Sequence, residues 1–525
     1  MTDLKANSNI DAPAEIALFS VAEIRAIEQA ALANLAPYTL MQRAGAAAAT
    51  AARQLNQKSD TAHILILSGP GNNGGDALEA ACDLSSGGLE VSVLLMGGDS
   101  GREPPPDAAH ALARARSCAI EWITPEQLDT DTSWTLVLDG LFGIGMQRPL
   151  GPEYRAIAAR VNALRCPVLA LDIASGLNAD TGCIAIDANA NADADKNADD
   201  RAIRATHTIT FIAAKPGLHT CDGRDYSGEV QIADLGIDHA HFPAAQAVLN
   251  APHHFSTGLQ PRLQNSHKGS YGDVVIVGGA EGMAGAVILA ARAAAHTGAG
   301  RVYAGFMAQA PAYDSLHPEL MCRAAATLDF KHGTVVVGPG LSESRDAHDL
   351  LSKTLHATGN LVLDADALNM LAAEPGLQNK LSTRQRLGAT LLTPHPLEAA
   401  RLLKISAAAV QADRLKAARS LAQRFQSIVI LKGSGTVIAR PDGMVAINPT
   451  GNPGLATAGS GDVLSGICGA LLAQHWSPWE AALGAVWLHG AAADALVAQG
   501  IGPVGLCASE IGVAVRSALN HLISN

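Results

Sequence analysis

The stretch HILILSGPGNNGGDALEAACDLSS, residues 63–86, decides the fold of the first half of this chain. HILILS (63–68) has the length and apolar character of a buried strand, and it runs directly into the glycine-rich loop GPGNNGGD (69–76). The segment that follows is rich in Ala and Leu, as helices are. A continuous apolar strand, a glycine turn and a helix are typical of a parallel sheet covered on both faces. The stretch therefore predicts a strand–loop–helix unit of an α/β protein.

The same alternation continues along the rest of the chain. Four more apolar strands are predicted in the first half: VSVLLM (91–96), TLVLDG (135–140), PVLALDI (167–173) and THTITFI (206–212). Six are predicted in the second half: DVVIVGG (273–279), RVYAGF (301–306), GTVVVGPG (333–340), LVLDAD (361–366), TLLTPH (390–395) and SIVILKG (427–433). The segment 238–262, rich in Pro and His, shows little periodicity. We therefore expect two α/β sandwich domains, 1–245 and 246–525.

The composition bounds what the protein can do. Of its 525 residues, 48% are hydrophobic and 16% charged, which is typical of packed domains and excludes a mainly disordered chain. The net charge of −12 and the aromatic content of 4% argue against nucleic-acid binding, which favours positive charge and stacking platforms. The eight cysteines are scattered without a C-x-x-C pair, so we expect a reducing compartment and neither a disulfide scaffold nor a zinc site.

The N-terminal sequence and the hydropathy lead to an expectation about location. MTDLKANSNIDAPAEIALFS (1–20) carries acids where a signal peptide needs a basic start and an apolar run. Gly, His, Arg or Asp interrupts every apolar stretch before it could span a membrane. We expect a soluble, cytoplasmic homo-oligomer that contacts no membrane. The acidic insert DANANADADKNADD (187–200) is too polar to pack and predicts a solvated loop, with metal binding as the less favoured alternative.

The loop GPGNNGGD suits an anion. Its glycines fit G-x-G-x-x-G at a strand-to-helix turn, where backbone N–H groups and the helix dipole attract negative charge. A dinucleotide-binding fingerprint would place an acid near the end of the next strand, yet Asp99 comes only after two glycines. The alternative is a tight turn that only packs the helix on the strand. The polar Asn72, Asn73 and Asp76 favour a ligand site over that alternative.

Two later strands of the first half end in acids. Asp139 ends VLD (137–139), and Asp172 ends LALD (169–172) with Ser175 close behind. A single such Asp is more often a helix cap, but ligands bind where several strand ends meet in an open α/β sheet. We therefore expect these loops to form one crevice, in which Asn73, Asp139 and Ser175 offer the hard oxygens that suit an alkali or alkaline-earth cation.

The second half has one dominant motif, NPTGNPGLATAGSGDVLSG (448–466). Its glycines open an apolar helix, so backbone N–H groups around Gly459 and Gly461 can cradle charge on a phosphoryl group. Asp462 is placed to take a proton from a substrate hydroxyl during phosphoryl transfer. The alternative is that Asp462 only caps the helix.

Four more features of this half surround strand ends. KGSGT (432–436) combines a lysine with glycines that suit nucleotide phosphates, without the order of a Walker A loop. His395 lies between two prolines in TPHP (393–396), which favours a site residue over a structural histidine. Gly340 belongs to another glycine turn, and the small Ala286 near the start of a helix would leave room for a flat ring.

Together these motifs resemble the bifunctional NAD(P)H-hydrate repair enzymes over almost the whole chain. The first half is similar to their epimerase domain through MQRAG (41–45), GPGNNGGD (69–76), VLDGLFGIG (137–145), LDIASG (171–176) and AAKPGLH (213–219). The second half is similar to their dehydratase domain through HKGSYGDV (267–274), GMAGAV (282–287), TPHPLE (393–398), KGSGT (432–436) and NPGLATAGSGDVLSG (452–466). The chain departs from the family pattern at Ala77, Glu79 and Ala174, and the insert 187–200 is additional.

The resemblance implies a fold, an activity and cofactors. It implies an N-terminal Rossmann-like three-layer sandwich and a C-terminal ribokinase-like α/β domain. The substrates would be NADH and NADPH that have added water across the C5–C6 bond of the nicotinamide ring. The first domain would interconvert the R and S hydrates with a potassium ion. The second would use ADP and Mg²⁺ to phosphorylate the S hydrate and eliminate phosphate, giving NAD(P)H and AMP.

The resemblance also implies roles for individual residues. Asp172 and Asp462 would be the catalytic acids or bases, and Asn73, Asp139 and Ser175 would hold potassium. The hydrate would contact Asn72, Asn73, Gly74, Gly75, Asp76, Gly143, Ile144, Gly145, Met146, Gln147, Arg148, Pro149 and Asp172 in the first domain. In the second domain the hydrate would contact Ala286, Gly340, His395 and Asp462. ADP would contact Lys432, Gly433, Ser434, Gly435, Thr436 and Gly461.

Two rival functions stay open at this point. The glycine–aspartate anion site also occurs in sugar and vitamin kinases, so the chain could be a ribokinase-like kinase fused to a dinucleotide-binding regulatory module. A kinase would release a phosphorylated product, whereas a dehydratase releases inorganic phosphate. The second rival is a non-catalytic scaffold for RNA or protein, in which Asn73 and Asp172 would matter to no turnover.

Overall fold

The computed structural model describes residues 15–56, 62–97, 103–128, 134–185, 200–331 and 333–524. Asp99 and all of the acidic insert except Asp200 lie outside these ranges. The chain divides into two units, one comprising Ala17–Ala247 and the other running from Val248 onward and including Ile16. Each unit is an α/β sandwich, so the predicted fold class is confirmed.

The first unit alternates strands and helices around a seven-stranded sheet. Its helices are α1 (Val21–Leu32), α2 (Thr39–Leu55), α3 (Asn72–Ser86), α4 (Pro106–Ala115), α5 (Pro152–Ala163) and α6 (Gly223–Tyr226). Its strands are β1 (His63–Ser68), β2 (Glu90–Leu95), β3 (Glu121–Ile123), β4 (Leu136–Gly140), β5 (Val168–Leu171), β6 (His207–Phe211) and β7 (Glu229–Ala233).

The order of the strands creates a crevice. The sheet runs β3-β2-β1-β4-β5-β6-β7, and all neighbouring pairs are parallel. The chain moves outward from β1 to β2 and β3, then returns to β4 on the other side of β1. Loops after β1 and β4 therefore leave in opposite directions, which opens a cleft at the carboxyl ends of these strands.

The second unit carries a ten-stranded sheet. Its strands are β8 (Ala247–Leu249), β9 (Asp273–Gly278), β10 (Arg301–Phe306), β11 (Met321–Ala324), β12 (Thr334–Val337), β13 (Leu361–Leu363), β14 (Thr390–Leu392), β15 (Ile428–Leu431), β16 (Val437–Ala439) and β17 (Val445–Ile447). Its helices are α7 (Ala284–His296), α8 (Arg345–Leu355), α9 (Ala365–Ala373), α10 (Pro375–Ser382), α11 (Pro396–Leu403), α12 (Ala407–Ala412), α13 (Arg414–Phe425), α14 (Ser460–Ala473), α15 (Pro478–Ala498) and α16 (Ala508–Ser524).

The strand order of this sheet changes direction in the same way as that of the first sheet. Its order is β11-β10-β9-β12-β13-β14-β15-β16-β17-β8, and it is parallel from β11 to β15. The chain moves outward from β9 to β10 and β11 and returns to β12 on the other side of β9. The strands β15, β16 and β17 pair antiparallel. The second crevice therefore opens at the carboxyl ends of β9 and β12.

The predicted strands are all present, with ends shifted by a few residues. The strands that were not predicted are short. Strands β3, β7 and β11 lie at or beside sheet edges and are partly exposed, so they show no continuous apolar run. Among the described residues, α15 is the one helix long and apolar enough to cross a membrane by length and composition. In the structure it packs in the second core, with 67% of that apolar window buried.

Candidate active sites

A large cavity occupies the first crevice. Its volume is about 1120 Å³, and loops after β1, β4 and β5 line it. Of the predicted hydrate-contacting residues, those that line it are Asn72, Asn73, Asp76, Gly143, Ile144, Gly145, Met146, Gln147, Arg148, Pro149 and Asp172. The sequence therefore identified three loops that meet in one cavity.

Gly74 and Gly75 have a different position. A Cβ on Gly74 would lie 1.9 Å from the carbonyl oxygen of Gly69, and one on Gly75 would lie 2.6 Å from Cε of Met41. Both glycines are buried and allow the first turn of α3 to pack closely against the preceding loop and α2. They shape the cavity by letting the backbone approach, and their own atoms do not line it.

Asp172 lies at the end of β5 and is held by a buried lysine. Its φ of 67° turns the chain sharply, and its Oδ1 accepts a hydrogen bond from Lys215 Nζ at 2.5 Å. Lys215 has no exposed surface and also donates to Thr210 Oγ1 at 2.8 Å and to the Phe211 carbonyl at 2.7 Å. Burial lowers the pKa of Lys215, and the negative charge of Asp172 opposes that shift.

Two further carboxyl groups face Asp172 across the cavity. Burial raises the pKa of Asp76 well above its usual value, and the charges of Asp172 and Glu28 raise it further. Burial and then Asp172 also raise the pKa of Glu28, which comes from α1. Two carboxyl groups with raised pKa values therefore lie beside a carboxylate paired with lysine, an arrangement suited to general acid–base chemistry.

Sequence reasoning missed both Glu28 and Lys215. Lys215 was part of the motif AAKPGLH, where its position directly after an apolar strand was the available signal. Glu28 lies on α1, an amphipathic helix that buries Val21, Ile24, Ile27 and Ala31, and no local pattern separates Glu28 from the acids of an exposed helix face.

Asp139 and Ser175 are joined by hydrogen bonds, and Asn73, which lines the cavity, lies against the loop after β4, where a Cβ on Gly143 would be 3.4 Å from Oδ1 of Asn73. The Ser175 hydroxyl donates to Asp139 Oδ1 at 2.7 Å, and the Ser175 N–H donates to Oδ2 at 2.8 Å. Burial raises the pKa of Asp139 to about 6, although the bonds from Ser175 and Leu141 oppose the shift. Both side-chain polar atoms of Asn73 are buried without a hydrogen-bond partner in the described structure.

Asp462 belongs to the first turn of α14. This helix begins at Ser460, and its N-cap is Gly459 with a φ of 88°, so Asp462 is not the capping residue. Burial, together with the charge of Asp364, raises the pKa of Asp462 to about 7, while Lys432 opposes the shift. A carboxylate with such a pKa can accept a proton at neutral pH and release it again.

Lys432 of the motif KGSGT forms the second buried ion pair. Its Nζ lies 2.9 Å from Asp364 Oδ1, and a Cβ on Gly461 would come within 3.2 Å of the same nitrogen. Burial alone would lower the pKa of Lys432, but the charges of Asp364 and Glu398 outweigh burial and raise it. Lys432 thus lies under the first turn of α14, beside Asp462.

The rest of KGSGT forms a turn over a buried arginine. Gly433 has a φ of 143°, and its carbonyl accepts from Thr436 Oγ1 at 3.0 Å. Arg414 lies below and donates to the carbonyls of Leu431 and Lys432 at 3.1 and 3.3 Å. Ser434 and Gly435 lie at the top of this turn.

His395 serves both the fold and the site. It is the N-cap of α11, where its Nδ1 accepts from the Leu397 N–H at 3.1 Å, so Nε2 carries the proton of the neutral ring. That Nε2 lies 3.3 Å from Glu398 Oε1. Burial raises the pKa of Glu398 to about 7. The positive charge of Lys432 opposes this shift, and the negative charge of Asp364 adds to it. Asp364 and Glu398 were not predicted.

Gly340 and Ala286 lie close together beside β9 and β12, where the order of the strands changes direction. Gly340 has a φ of 57°, and a Cβ there would lie 2.7 Å from Cβ of Met283 and 3.4 Å from Cβ of Ala286. Gly340 therefore packs closely against the start of α7, where a side chain would clash, and the predicted contacts of Gly340 and Ala286 with the hydrate stay predictions.

These sites define a class of protein. It is a two-domain α/β enzyme. One half has a cavity lined by carboxylates, and the other has a helix with a glycine N-cap and, in its first turn, an aspartate with a raised pKa.

Comparisons with known proteins identify the family within that class. The family described as YjeF-related protein N-terminus matches residues 37–217, and the family described as NAD(P)H-hydrate dehydratase matches residues 274–511. The bifunctional NAD(P)H-hydrate repair enzyme Nnr of Coxiella burnetii is 37% identical, over 96% of this chain and 99% of the relative. The Escherichia coli enzyme of the same name is 37% identical, over 95% of this chain and 92% of the relative.

A solved structure also matches the second half. The ADP/ATP-dependent NAD(P)H-hydrate dehydratase from Bacillus subtilis, co-crystallised with ATP and Mg²⁺, is 29% identical with a TM-score of 0.45, over 52% of this chain and 97% of that one. The chain belongs to the family of bifunctional NAD(P)H-hydrate repair enzymes. The predicted family and the predicted enzyme class, an epimerase joined to a dehydratase, are confirmed.

Proposed function

We propose that this chain repairs hydrated NADH and NADPH in two steps, one at each crevice. The half 1–245 interconverts the R and S hydrates, and the half 246–525 converts the S hydrate to NAD(P)H while ADP becomes AMP and phosphate. The observation that supports this most directly is Asp462, a carboxylate with a pKa of about 7 in the first turn of a helix started by glycine. The predicted cytoplasmic location and homo-oligomeric state stay predictions.

In the first half, Asp172 is the proposed acid–base group. Inverting the carbon that carries the hydroxyl requires a bond at that carbon to break and form again. A carboxylate that takes and returns a proton assists both directions. Lys215 fixes the orientation of Asp172, and the nearby Asp76 and Glu28 have pKa values raised first by burial and then by the charge of Asp172.

The oxygen donors of Asn73, Asp139 and Ser175 fit a potassium ion. The unpartnered amide oxygen of Asn73 is buried, and the nearby Asp139 is a fully buried carboxylate whose described partners are the Ser175 and Leu141 donors. Hard oxygens with an excess of negative charge suit a weakly held hard cation. Bound there, potassium would neutralise Asp139 and order the loops that carry Asn73 and Ser175.

In the second half, Asp462 is the proposed base. It accepts the proton of the hydrate hydroxyl as that oxygen attacks the terminal phosphorus of ADP. The N–H groups from Gly459 to Gly461 stabilise charge on the transferred phosphoryl group. AMP leaves as the new P–O bond forms. Loss of the resulting phosphate from one ring carbon, with the electron pair of its C–O bond, and of a proton from the other restores the C5–C6 double bond, so no oxidant or reductant is needed.

The carboxylates around Asp462 fit magnesium. The charge of Asp364 adds to burial in raising the pKa of both Glu398 and Asp462, and Lys432 opposes both shifts. We propose that Asp364 and Glu398 hold Mg²⁺, which would neutralise the phosphates of ADP. Lys432, Gly433, Ser434, Gly435, Thr436 and Gly461 are the proposed ADP contacts.

The test is recovery of reduced nicotinamide absorbance after ADP is added to purified S hydrate, with inorganic phosphate measured in parallel. We expect one phosphate released for each NADH recovered, and, when a mixture of the two hydrates is supplied instead, the R hydrate to be consumed as well. A stable phosphorylated nicotinamide product without phosphate release would instead support the kinase alternative. Absence of turnover of either hydrate by the parent protein, so that Asn73 and Asp172 matter to no activity, would support the scaffold alternative.

A further inference from the structure

We propose that Glu15, His253 and His254 form a binding site for a divalent transition metal such as Zn²⁺ or Co²⁺. None of these residues contributes to the cavity of the first half or to the surroundings of Asp462. Cysteine spacing could not reveal this site, because it contains no cysteine.

The backbone brings the three residues together. His253 and His254 belong to the 3₁₀ turn Pro252–Gly258, which follows β8. Glu15 comes beside this turn because the Leu249 N–H donates to the carbonyl of its neighbour Ile16 at 2.9 Å. One ligand atom from each of the three side chains lies within 4.8 Å of the others. Small side-chain rotations would bring these atoms to about 2.0–2.2 Å from a common ion.

The ring nitrogens of His253 are a second indication of a ligand-binding site. Both ring nitrogens of His253 are buried and have no hydrogen-bond partner in the described part of the chain. A buried polar atom without a partner costs free energy, and a bound ion is one of the explanations for such an atom. The two rings lie with centroids 4.1 Å apart, so both face the same small space.

His254 is oriented in the way that metal-bound histidines usually are. Its Nε2 lies 3.2 Å from the Leu249 carbonyl, which can only accept, so Nε2 donates and Nδ1 keeps a free lone pair. A histidine ligand commonly gives its other ring N–H to a backbone carbonyl, which fixes the tautomer.

The donor set selects the metal. Two imidazoles and a carboxylate suit Zn²⁺, Co²⁺ or Ni²⁺ better than Mg²⁺ or Ca²⁺, which prefer oxygen ligands only. Glu15 is exposed, so a water molecule can complete the coordination. A bound ion would tie the segment at Glu15 to the turn after β8 and stabilise the folded state.

The test is a titration of the full chain with Co²⁺, followed by visible absorption and by competition with Zn²⁺. We expect one equivalent to give the d–d bands of a nitrogen and oxygen site. His253→Ala, His254→Gln and Glu15→Gln should each weaken binding at least about tenfold. The matched control is His317→Asn, which removes a histidine that already contacts Glu319 at 3.1 Å. It should leave Co²⁺ binding unchanged.

Folding is checked through melting temperature. Zn²⁺ should raise the melting temperature of the parent and of His317→Asn but not of Glu15→Gln, whose exposed side chain is not needed for folding. Undiminished binding in Glu15→Gln and His254→Gln would overturn the proposal. So would thiolate-to-cobalt charge-transfer bands, because they would place the ion at a cysteine pair such as Cys183 and Cys221, whose sulfur atoms lie 3.2 Å apart.

Discussion

Both halves of the molecule place a lysine–aspartate pair at the carboxyl ends of parallel strands, but they use the pair differently. In the first half Lys215 lies 2.5 Å from Asp172, the proposed reacting group itself. In the second half Lys432 lies 2.9 Å from Asp364, and the proposed reacting group Asp462 is its neighbour. The lysine therefore contacts the reacting carboxylate directly in one site and indirectly in the other.

This difference matches the chemistry proposed for each half. Asp172 must keep one orientation while a bond at a ring carbon breaks and forms, and a buried ammonium fixes that orientation. Asp462 must take up the proton of the substrate hydroxyl. Burial, with the charge of Asp364, raises the pKa of Asp462 to about 7 although Lys432 opposes the shift.

The largest expected effect is the loss of epimerisation in Asp172→Asn. Asn keeps the size of Asp but has no basicity, so we expect a rate lower by about 10²–10⁴-fold. Dehydration of purified S hydrate should stay near the parent rate, because Asp462 is unchanged. A mixture of hydrates would then be repaired only to the extent of its S fraction, apart from slow spontaneous epimerisation.

The control for this variant is Asp83→Asn, which changes a surface carboxylate paired with Arg53. It should epimerise at the parent rate. Complete and rapid repair of the mixture by Asp172→Asn would remove Asp172 from its proposed role.

Asp462→Asn is the corresponding change in the second half and should lower the rate of dehydration by about 10²–10⁴-fold. The N-cap of α14 is Gly459, so the helix and the N–H groups that bind phosphate remain. ADP affinity and melting temperature should therefore change little, and epimerisation should be unaffected. NADH recovery from S hydrate, measured beside an ADP titration, checks both statements.

Asp346→Asn provides the matched control, because Asp346 also lies in the first turn of a helix, α8, but is exposed. It should leave turnover unchanged. If Asp462→Asn turns over within a few-fold of the parent, the phosphoryl transfer does not use this base.

Replacing the lysines compares the two ion pairs directly. Lys215→Met removes the partner of a nearly buried carboxylate, and breaking such a pair costs about 3 kcal/mol or more of unfolding free energy. Lys432→Met should cost less, because 20% of the Lys432 side chain is exposed and water can compensate. Denaturant unfolding of the two variants tests the order. Equal losses would show that burial does not distinguish the pairs.

Below the pKa of Asp462, the kcat/KM of the dehydratase should rise about tenfold for each pH unit. Asp462 acts as a base only when ionised, and its pKa is about 7, so kcat/KM should rise with pH up to about 7 and then level off. Glu398 has a similar pKa, so Glu398→Gln separates the two groups. Its profile should keep the acid limb, whereas the residual activity of Asp462→Asn should lack it.

Much of this comparison could be predicted from the sequence, and the reason is local. Apolar strands, glycine loops and strand-end acids are contiguous patterns, so they located the crevices, Asp172 and Asp462. Lys215 was visible only as part of a motif. Asp364 and Glu398 were likewise visible only as parts of LVLDAD (361–366) and TPHPLE (393–398). Glu28 comes from α1, and no spacing along the chain reports its approach to the first site.

The smallest expected effect concerns potassium. Asn73 and Asp139 are buried, and the side-chain polar atoms of Asn73 lack a partner in the described structure, so removing a bound cation leaves polar groups unsatisfied. That costs on the order of 1 kcal/mol, about fivefold in hydrate affinity. We expect this loss in the first half when a bulky organic cation replaces potassium in assays of the full chain. Asn73→Ala should bind hydrate weakly in both salts, because it has lost the oxygen through which the cation acts. Epimerase assays that show the same affinity after exhaustive potassium removal would rule out the cation and leave Asp139 and Ser175 as a structural hydrogen-bonded pair.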